Sequence, residues 1–307
     1  MTDAAPLTVA PVVAFVGLGR MGLPMATNLV KAGFPVVGCD LDSEKVAALV
    51  AQGGTAAATP AEAAARADIT LSILMSDAVL DAVALGPDGV LGGARPGHLY
   101  ADLSTVSPAA AGRVAAACRA KGVAPVCAKV AGSVGLAESA RLTLFASGDP
   151  EDFSRAEPVF AAMAASVRHV GAGEAAAYLK LVHSLIVGVT STLMAEAFAF
   201  GERGGLSLET MVDVLEAGPL GSRQLSLRAP TIKARAFDAP PSDIDTAAKD
   251  VDLILDTARR DATPLAVTAA ARQLMAAAQA RGEGKRDIYA VIETVEALAG
   301  LPTRTTR

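Results

Sequence analysis

Short aliphatic runs alternate with amphipathic stretches along the first half of the chain. The run at 12–17 (VVAFVG) breaks at a glycine and predicts a buried strand. A helix is predicted over 21–31, stopped by Gly33, and a second strand over 35–40. Ser43 can cap the next helix, which ends at Gly53-Gly54. The alternation continues with ITLSIL at 69–74, a helix after Asp77, HLYADL at 98–103, a helix over 108–121, VAPVC at 123–127 and LTLFAS at 142–147. Strands alternating with helices over about 170 residues predict βαβ units and a mainly parallel sheet. The pattern changes near Gly171. One helical period runs over 174–203, with Leu179, Val182, Ile186, Val189, Leu193 and Phe200 three, four or seven positions apart. Helices follow at 207–217, 222–235, 243–260, 264–281 and 287–298, without a convincing strand. The expected architecture is an α/β domain over 1–172 and an all-α domain over 173–307, joined through the long helix.

Composition narrows the class. Of 307 residues, 52% are hydrophobic but only 4% aromatic, with no Trp, so the apolar mass is mostly Ala, Val and Leu. Charged residues are 19%, below the roughly 25% of ordinary soluble domains and the reverse of a disordered chain. A net charge of −5 argues against a nucleic-acid partner, which calls for a basic stripe. Cys39, Cys118 and Cys127 are odd in number and form no CxxC pair. They indicate neither a disulfide framework nor a zinc site, and no metal is expected. The mean hydropathy of +0.41 raises the question of a membrane. The most apolar segment, 181–195, is fifteen residues long and carries His183, Ser184, Thr190, Ser191 and Thr192. It reads as too short and too polar to span a bilayer. The opening MTDAAPLTVAP lacks the basic region of a signal peptide. A cytoplasmic chain without a membrane span is expected.

The first motif with chemistry is Gly17-Leu18-Gly19-Arg20-Met21-Gly22, placed between the first strand and the first helix. There the first glycine permits a tight turn and the second lets backbone approach a pyrophosphate. The third allows close helix–strand packing, with the phosphates over the helix N-terminus. Asp40 ends the second strand, 18 residues past Gly22, the placement of an acid that accepts hydrogen bonds from the adenosine ribose. A carboxylate there repels a 2′-phosphate, and Leu41, Asp42 and Ser43 supply no Arg or Lys. NAD is therefore expected rather than NADP. The blander alternative is that Asp40 only caps the following turn.

GLGRMGLPMATNLVKAGF closely resembles the opening of the β-hydroxyacid dehydrogenases. That family includes 3-hydroxyisobutyrate dehydrogenase and tartronate semialdehyde reductase and is related to 6-phosphogluconate dehydrogenase. The resemblance extends along nearly the whole chain and implies a Rossmann dinucleotide-binding domain followed by a helical substrate and oligomerisation domain. Asp102-Leu103-Ser104-Thr105-Val106-Ser107-Pro108 matches the family's DxSTxxP segment, whose threonine, here Thr105, approaches the nicotinamide. Leu74-Met75 falls where the family has a Leu-Pro pair against the cofactor. GAGEAAAYLK resembles the segment that delivers the catalytic lysine, here Lys180, and Lys249-Asp250 matches a KD pair whose lysine closes over cofactor and substrate. The implied reaction is NAD-dependent oxidation of a small 3-hydroxyacid, or reduction of its semialdehyde. A lysine within reach of the alcohol oxygen removes its proton as hydride leaves carbon, or returns it in reduction. Burial in an apolar setting and a nearby second cation tune a lysine toward that task. Without the resemblance, Lys180 reads rather as a helix lysine snorkelling to water. The resemblance also implies that the long helix packs against another subunit of a homodimer or homotetramer.

Departures from the family bear on substrate. The substrate loop usually reads DAPVSGG, and here it is Cys127-Ala128-Lys129-Val130-Ala131-Gly132-Ser133. Ala131 removes the serine that holds a substrate carboxylate, while Ser133 offers a hydroxyl two residues later. Lys129 replaces a proline and adds a charge beside the loop, or is a surface lysine at a strand end. Ser184 stands where the family commonly has Asn, with His183 beside it; on a helix both share a face with Lys180. The implied substrate, a small anion, would sit in a cleft between the domains against Gly132, Ser133, Lys180, Ser184 and Lys249. Rival readings are an imine reductase of the same architecture and a non-catalytic cofactor-binding scaffold. Retention of Lys180 speaks against the first, and retention of Lys180 and Lys249 together against the second.

Overall fold

The computed structural model describes residues 10–238 and 240–302. The chain divides into two compact units, one extending to Leu181 and the other beginning at Val182. In the first unit the order is β1 (Val13–Val16), α1 (Gly22–Lys31), β2 (Val36–Cys39), α2 (Ser43–Ala51), β3 (Thr55–Ala56), α3 (Pro60–Ala65), β4 (Ile69–Ser72), α4 (Asp77–Leu85) and α5 (Val90–Gly93). Then come β5 (Leu99–Asp102), α6 (Pro108–Ala120), β6 (Ala124–Ala131), α7 (Val134–Glu138), β7 (Leu142–Gly148), α8 (Pro150–Ala161) and β8 (Ala164–His169). The strands form one sheet in the order β3-β2-β1-β4-β5-β6-β7-β8. Pairing is parallel throughout except between β6 and β7. This is the doubly wound arrangement expected of a dinucleotide-binding domain.

Alternation along the strands builds a core on each face of the sheet. Val13, Phe15 and Leu71 pack with Met25 and Leu29 of α1 and Phe153 and Phe160 of α8. Ala14, Val16 and Tyr100 pack with Leu80 of α4 and Val114 and Cys118 of α6 on the opposite side. Because β1, β2, β4, β5 and β6 run parallel, their C-terminal ends lie along one edge, and every motif of the first unit follows one of those ends.

The helix α9 (Ala175–Arg203) starts in the first unit and continues into the second. It is followed by α10 (Leu208–Ala217), α11 (Arg223–Ala234), α12 (Ile244–Arg260), α13 (Ala266–Ala280), a 3₁₀ turn (Ile288–Ala290) and α14 (Val291–Leu298). The core of the second unit centres on Phe198, Phe237, Ile244, Val251, Met275 and Tyr289. Residues 181–195 are only part of the 29-residue helix α9, which extends beyond the apolar segment at both ends. By length and composition alone α9 could cross a membrane, a test that the core helix of a globular protein also passes. Its apolar side chains fall into two groups. Ala195 and Phe198 are buried, whereas Val182, Ile186, Leu193 and Phe200 are more than half exposed in the single chain.

Candidate active site

The glycine turn is closed by its own geometry. Gly17 has φ +93°, and a Cβ there would lie 2.3 Å from the Ile73 carbonyl oxygen. A Cβ on Gly22 would lie 1.9 Å from the carbonyl oxygen of Gly17, so this glycine lets α1 settle directly onto the turn. At Gly19, by contrast, a Cβ would meet nothing within 4 Å. No side chain caps α1, and its first turn holds no acidic residue. An open backbone face at an uncapped helix N-terminus fits a pyrophosphate. Leu18 is buried within the turn, Met21 is partly buried and Arg20 is exposed.

Asp40 joins this turn to the end of β2. Its Oδ2 accepts from the Leu18 amide at 2.6 Å and its Oδ1 from the Asp42 amide at 2.8 Å. It therefore does cap the following turn, but it also fixes the glycine loop, and each oxygen keeps a second lone pair for a ligand hydroxyl. Beside it lies a cavity of about 490 Å³ lined by Asp40, Leu41, Val46, Val50, Ala56 and Ala57. Apolar walls with one carboxylate at the rim suit a flat heteroaromatic ring attached to a ribose. The Cys39 thiol ends β2 but is no nucleophile, since burial pushes it up to about 11.

The loops after β4 and β5 are tied together from below. The Leu74 amide donates to Ser104 Oγ at 2.7 Å, and Ser104 Oγ donates to Asp102 Oδ1 at 2.5 Å. Ser107 caps α6 and donates to Asp77, which begins α4. Leu74 and Thr105 are partly buried between these ties, while Met75 is 79% exposed.

Lys129 departs from its sequence reading. It is not a surface lysine at a strand end. Its side chain is wholly buried within β6, and its ammonium lies 2.7 Å from Asp102 Oδ2. Cys127 pairs in register with Asp102, and Lys129, two positions on, shares that face. Burial alone would lower this lysine, but the charges of Asp102 and Cys127 and the hydrogen bond to Asp102 hold it above the ordinary lysine value.

Strand β6 ends at Ala131, and Gly132 (φ +144°) turns the chain into α7. Ser133 precedes α7 without capping it through its side chain. Against this loop stands Lys180, partly buried in the second turn of α9, whose Nζ donates to the Val130 carbonyl at 2.9 Å. The first unit thus places Lys180 with Ala131, Gly132 and Ser133 at the strand edge that also carries Gly17–Gly22, Asp40, Leu74, Met75 and Thr105.

In the second unit, Ser184 Oγ donates to Asp250 Oδ2 at 3.1 Å, and Lys249 Nζ lies 3.2 Å from Asp250 Oδ1. His183 is exposed on α9. Sequence reasoning named Asp102, Ser104 and Asp250 only as motif positions and gave none of them a role of its own. A carboxylate closing the apolar strand LYAD was the available signal for the first.

A family model described as the NAD binding domain of 6-phosphogluconate dehydrogenase matches residues 12–171. A second, described as NAD-binding of NADP-dependent 3-hydroxyisobutyrate dehydrogenase, matches residues 171–295. The chain is 33% identical to 2-(hydroxymethyl)glutarate dehydrogenase of Eubacterium barkeri, over 94% of this chain and 96% of that protein. It is 34% identical to L-threonate dehydrogenase of Cupriavidus necator, over 91% and 94%. The solved structure of Mycobacterium tuberculosis 3-hydroxyisobutyrate dehydrogenase with L-serine aligns with a TM-score of 0.86 at 29% identity, covering 94% of this chain and 99% of that one.

Proposed function

Because the chain belongs to the β-hydroxyacid dehydrogenase family, we propose that it is an NAD-dependent oxidoreductase acting on a small 3-hydroxyacid, or in reverse on its semialdehyde. Lys180 is the general acid–base group. The observation that carries this reading is the 2.9 Å contact between Lys180 Nζ and the Val130 carbonyl, which holds the amine at the Ala131–Ser133 loop. Bound NAD(H) supplies the hydride acceptor or donor.

The remaining chemistry belongs to the chain. The open backbone at Gly19 and the uncapped start of α1 receive the pyrophosphate, with Leu18, Arg20 and Met21 completing the turn. Asp40 accepts from the adenosine ribose, and its negative charge, with Asp42 two residues on, disfavours a 2′-phosphate. Leu74, Met75 and Thr105 line the nicotinamide side. Ser133 Oγ and the amides of Gly132 and Ser133 hold the substrate carboxylate, in place of the hydroxyl absent at Ala131. Lys180 takes the hydroxyl proton during oxidation and returns it to the carbonyl oxygen during reduction. His183, Ser184 and Lys249 keep the substrate and cofactor roles implied by the family resemblance, with Ser184 acting through Asp250. The protein works in the cytoplasm as a homodimer or homotetramer, with the apolar face of α9 covered by another copy.

A spectrophotometric panel tests the reading. It contains small 3-hydroxyacids, their semialdehydes and a cyclic imine, each with NAD(H) and NADP(H). Turnover of a 3-hydroxyacid pair with NAD(H) is expected. Reduction of the imine alone would favour an imine reductase, and tight NADH binding without any turnover would favour a scaffold.

A further inference from the structure

Lys129 is a fully buried cation within the sheet, and the proposed mechanism gives it no part. Its Nζ touches both Oδ2 and the main-chain oxygen of Asp102, at 2.7 and 3.2 Å. The other carboxylate oxygen accepts from Ser72 Oγ at 3.0 Å and Ser104 Oγ at 2.5 Å. Paired with an ammonium, the carboxylate is an acceptor at both oxygens. Each serine hydroxyl must then point its proton at Asp102. That leaves the lone pairs of Ser104 Oγ for the Leu74 amide, 2.7 Å away, and those of Ser72 Oγ for the Tyr100 hydroxyl at 2.9 Å. One buried ion pair therefore dictates the direction of the hydroxyl hydrogen bonds of Ser72, Ser104 and Tyr100 at the ends of β4 and β5.

We propose that Lys129 is a positioning residue: by pairing with Asp102 it orients Ser104, and through Ser104 it locks the Leu74–Met75 loop to the Thr105 loop as one rigid wall for the nicotinamide. This rests on the cofactor reading above and deepens it. Deleting the ammonium leaves the Asp102 carboxyl buried without its charge partner, so the acceptor of Ser104 is no longer fixed and the Leu74–Ser104 tie loosens, while the Ser107–Asp77 tie remains. The glycine turn and Asp40 hang from β1 and β2 and keep their own hydrogen bonds. The loss thus falls on the nicotinamide half of the cofactor alone.

The test uses the full chain with Lys129→Met and Ser104→Ala, and two probes. ADP-ribose reports the adenosine and pyrophosphate half; NADH reports the whole site. Affinities come from calorimetry, the nicotinamide environment from the fluorescence of bound NADH, and folding from thermal melts. The wild type is expected to bind NADH more tightly than ADP-ribose. In both variants ADP-ribose affinity should stay within about twofold, while the NADH advantage and its fluorescence enhancement shrink about tenfold. Folded variants that keep the NADH advantage, or lose both ligands equally, overturn the proposal. If Lys129→Met does not fold, Lys129→Met combined with Asp102→Asn, which removes both charges of the buried pair, is measured in its place against the same criteria. A wild type that binds NADH without turning over any hydroxyacid would sink the reaction assignment and leave these binding results decisive. A wild type that binds neither probe would overturn the positioning role together with the cofactor site.

Discussion

The ammonium of Lys180 donates to the carbonyl oxygen of Val130, fifty positions away in sequence, at 2.9 Å. The choice of partner matters chemically. A backbone carbonyl accepts one N–H of the ammonium and so fixes where the side chain points. Val130 lies near the end of strand β6, just before Gly132 and Ser133, so the contact brings the amine to the turn that follows the strand.

Gly19 and Gly22 separate ligand binding from folding. Gly22→Ala drives a methyl into the Gly17 carbonyl oxygen and is expected to destabilise the protein by on the order of 3 kcal/mol. Gly19→Ala meets nothing within 4 Å, so its stability should change by less than about 0.5 kcal/mol. Its NADH affinity should nevertheless fall about tenfold, because the methyl occupies space meant for phosphate. Melting curves and NADH calorimetry on the two variants check this contrast. Equal NADH binding by Gly19→Ala and wild type would contradict it.

Asp40 is expected to set the cofactor preference. The wild type is expected to favour NADH over NADPH by about tenfold or more, since the 2′-phosphate would face a carboxylate. In Asp40→Ala the preference should narrow and NADH affinity should drop about tenfold, with two backbone amides losing their acceptor. Parallel titrations with the two cofactors measure both effects. A wild-type preference for NADPH would show the reading of Asp40 to be mistaken.

The exposed apolar face of α9 predicts self-association. Ile186 is 54% exposed in the single chain, with Val182 and Leu193 on the same helix at 51% and 60%. Ile186→Asp should shift the protein to monomer in sedimentation velocity while its melting temperature remains close to that of other monomeric forms. A wild type that is monomeric at micromolar concentration would contradict the proposed assembly.

His98 predicts an acid limit on stability. Burial pushes its pKa down to about 4, and its Nε2 lies 2.8 Å from Thr70 Oγ1. The unfolded chain, with an ordinary histidine near 6.5, takes up the proton first. The neutral imidazole's contribution is therefore complete above about pH 6.5 and is lost progressively toward pH 4, up to about 3 kcal/mol. Denaturant melts between pH 7 and 4 should show His98→Gln losing less stability on acidification than the wild type. Parallel curves would refute this.

The alternation of β1, α1, β2, β4, β5, α6 and β7 was legible because each is a local run of apolar residues closed by Gly, Pro or a capping Ser. Helices α10 to α14 were legible from their 3.6-residue period. Strand β8 was not, since Ser166, Arg168 and His169 leave a partly exposed edge strand with no apolar run. Strand β6 reads as ending near Cys127 but continues to Ala131, because a lysine interrupts the pattern. Only a carboxylate on the adjacent strand makes burial of Lys129 tolerable, and that pairing spans 27 residues. The glycine turn and Asp40 could be located from spacing. The contact between Lys180 and Val130 and the Ser184–Asp250 hydrogen bond depend on tertiary structure, and no local signal carries them.

The most direct test of the central claim is Lys180→Met, assayed with the 3-hydroxyacid and NAD pair selected by the panel alongside NADH calorimetry. With its proton carrier removed and its carbonyl partner left in place, the variant should bind NADH as the wild type does. Its turnover should fall by about 10³-fold, within the range of general acid–base catalysis. Ordinary turnover by Lys180→Met with normal NADH binding would show that another group moves the proton.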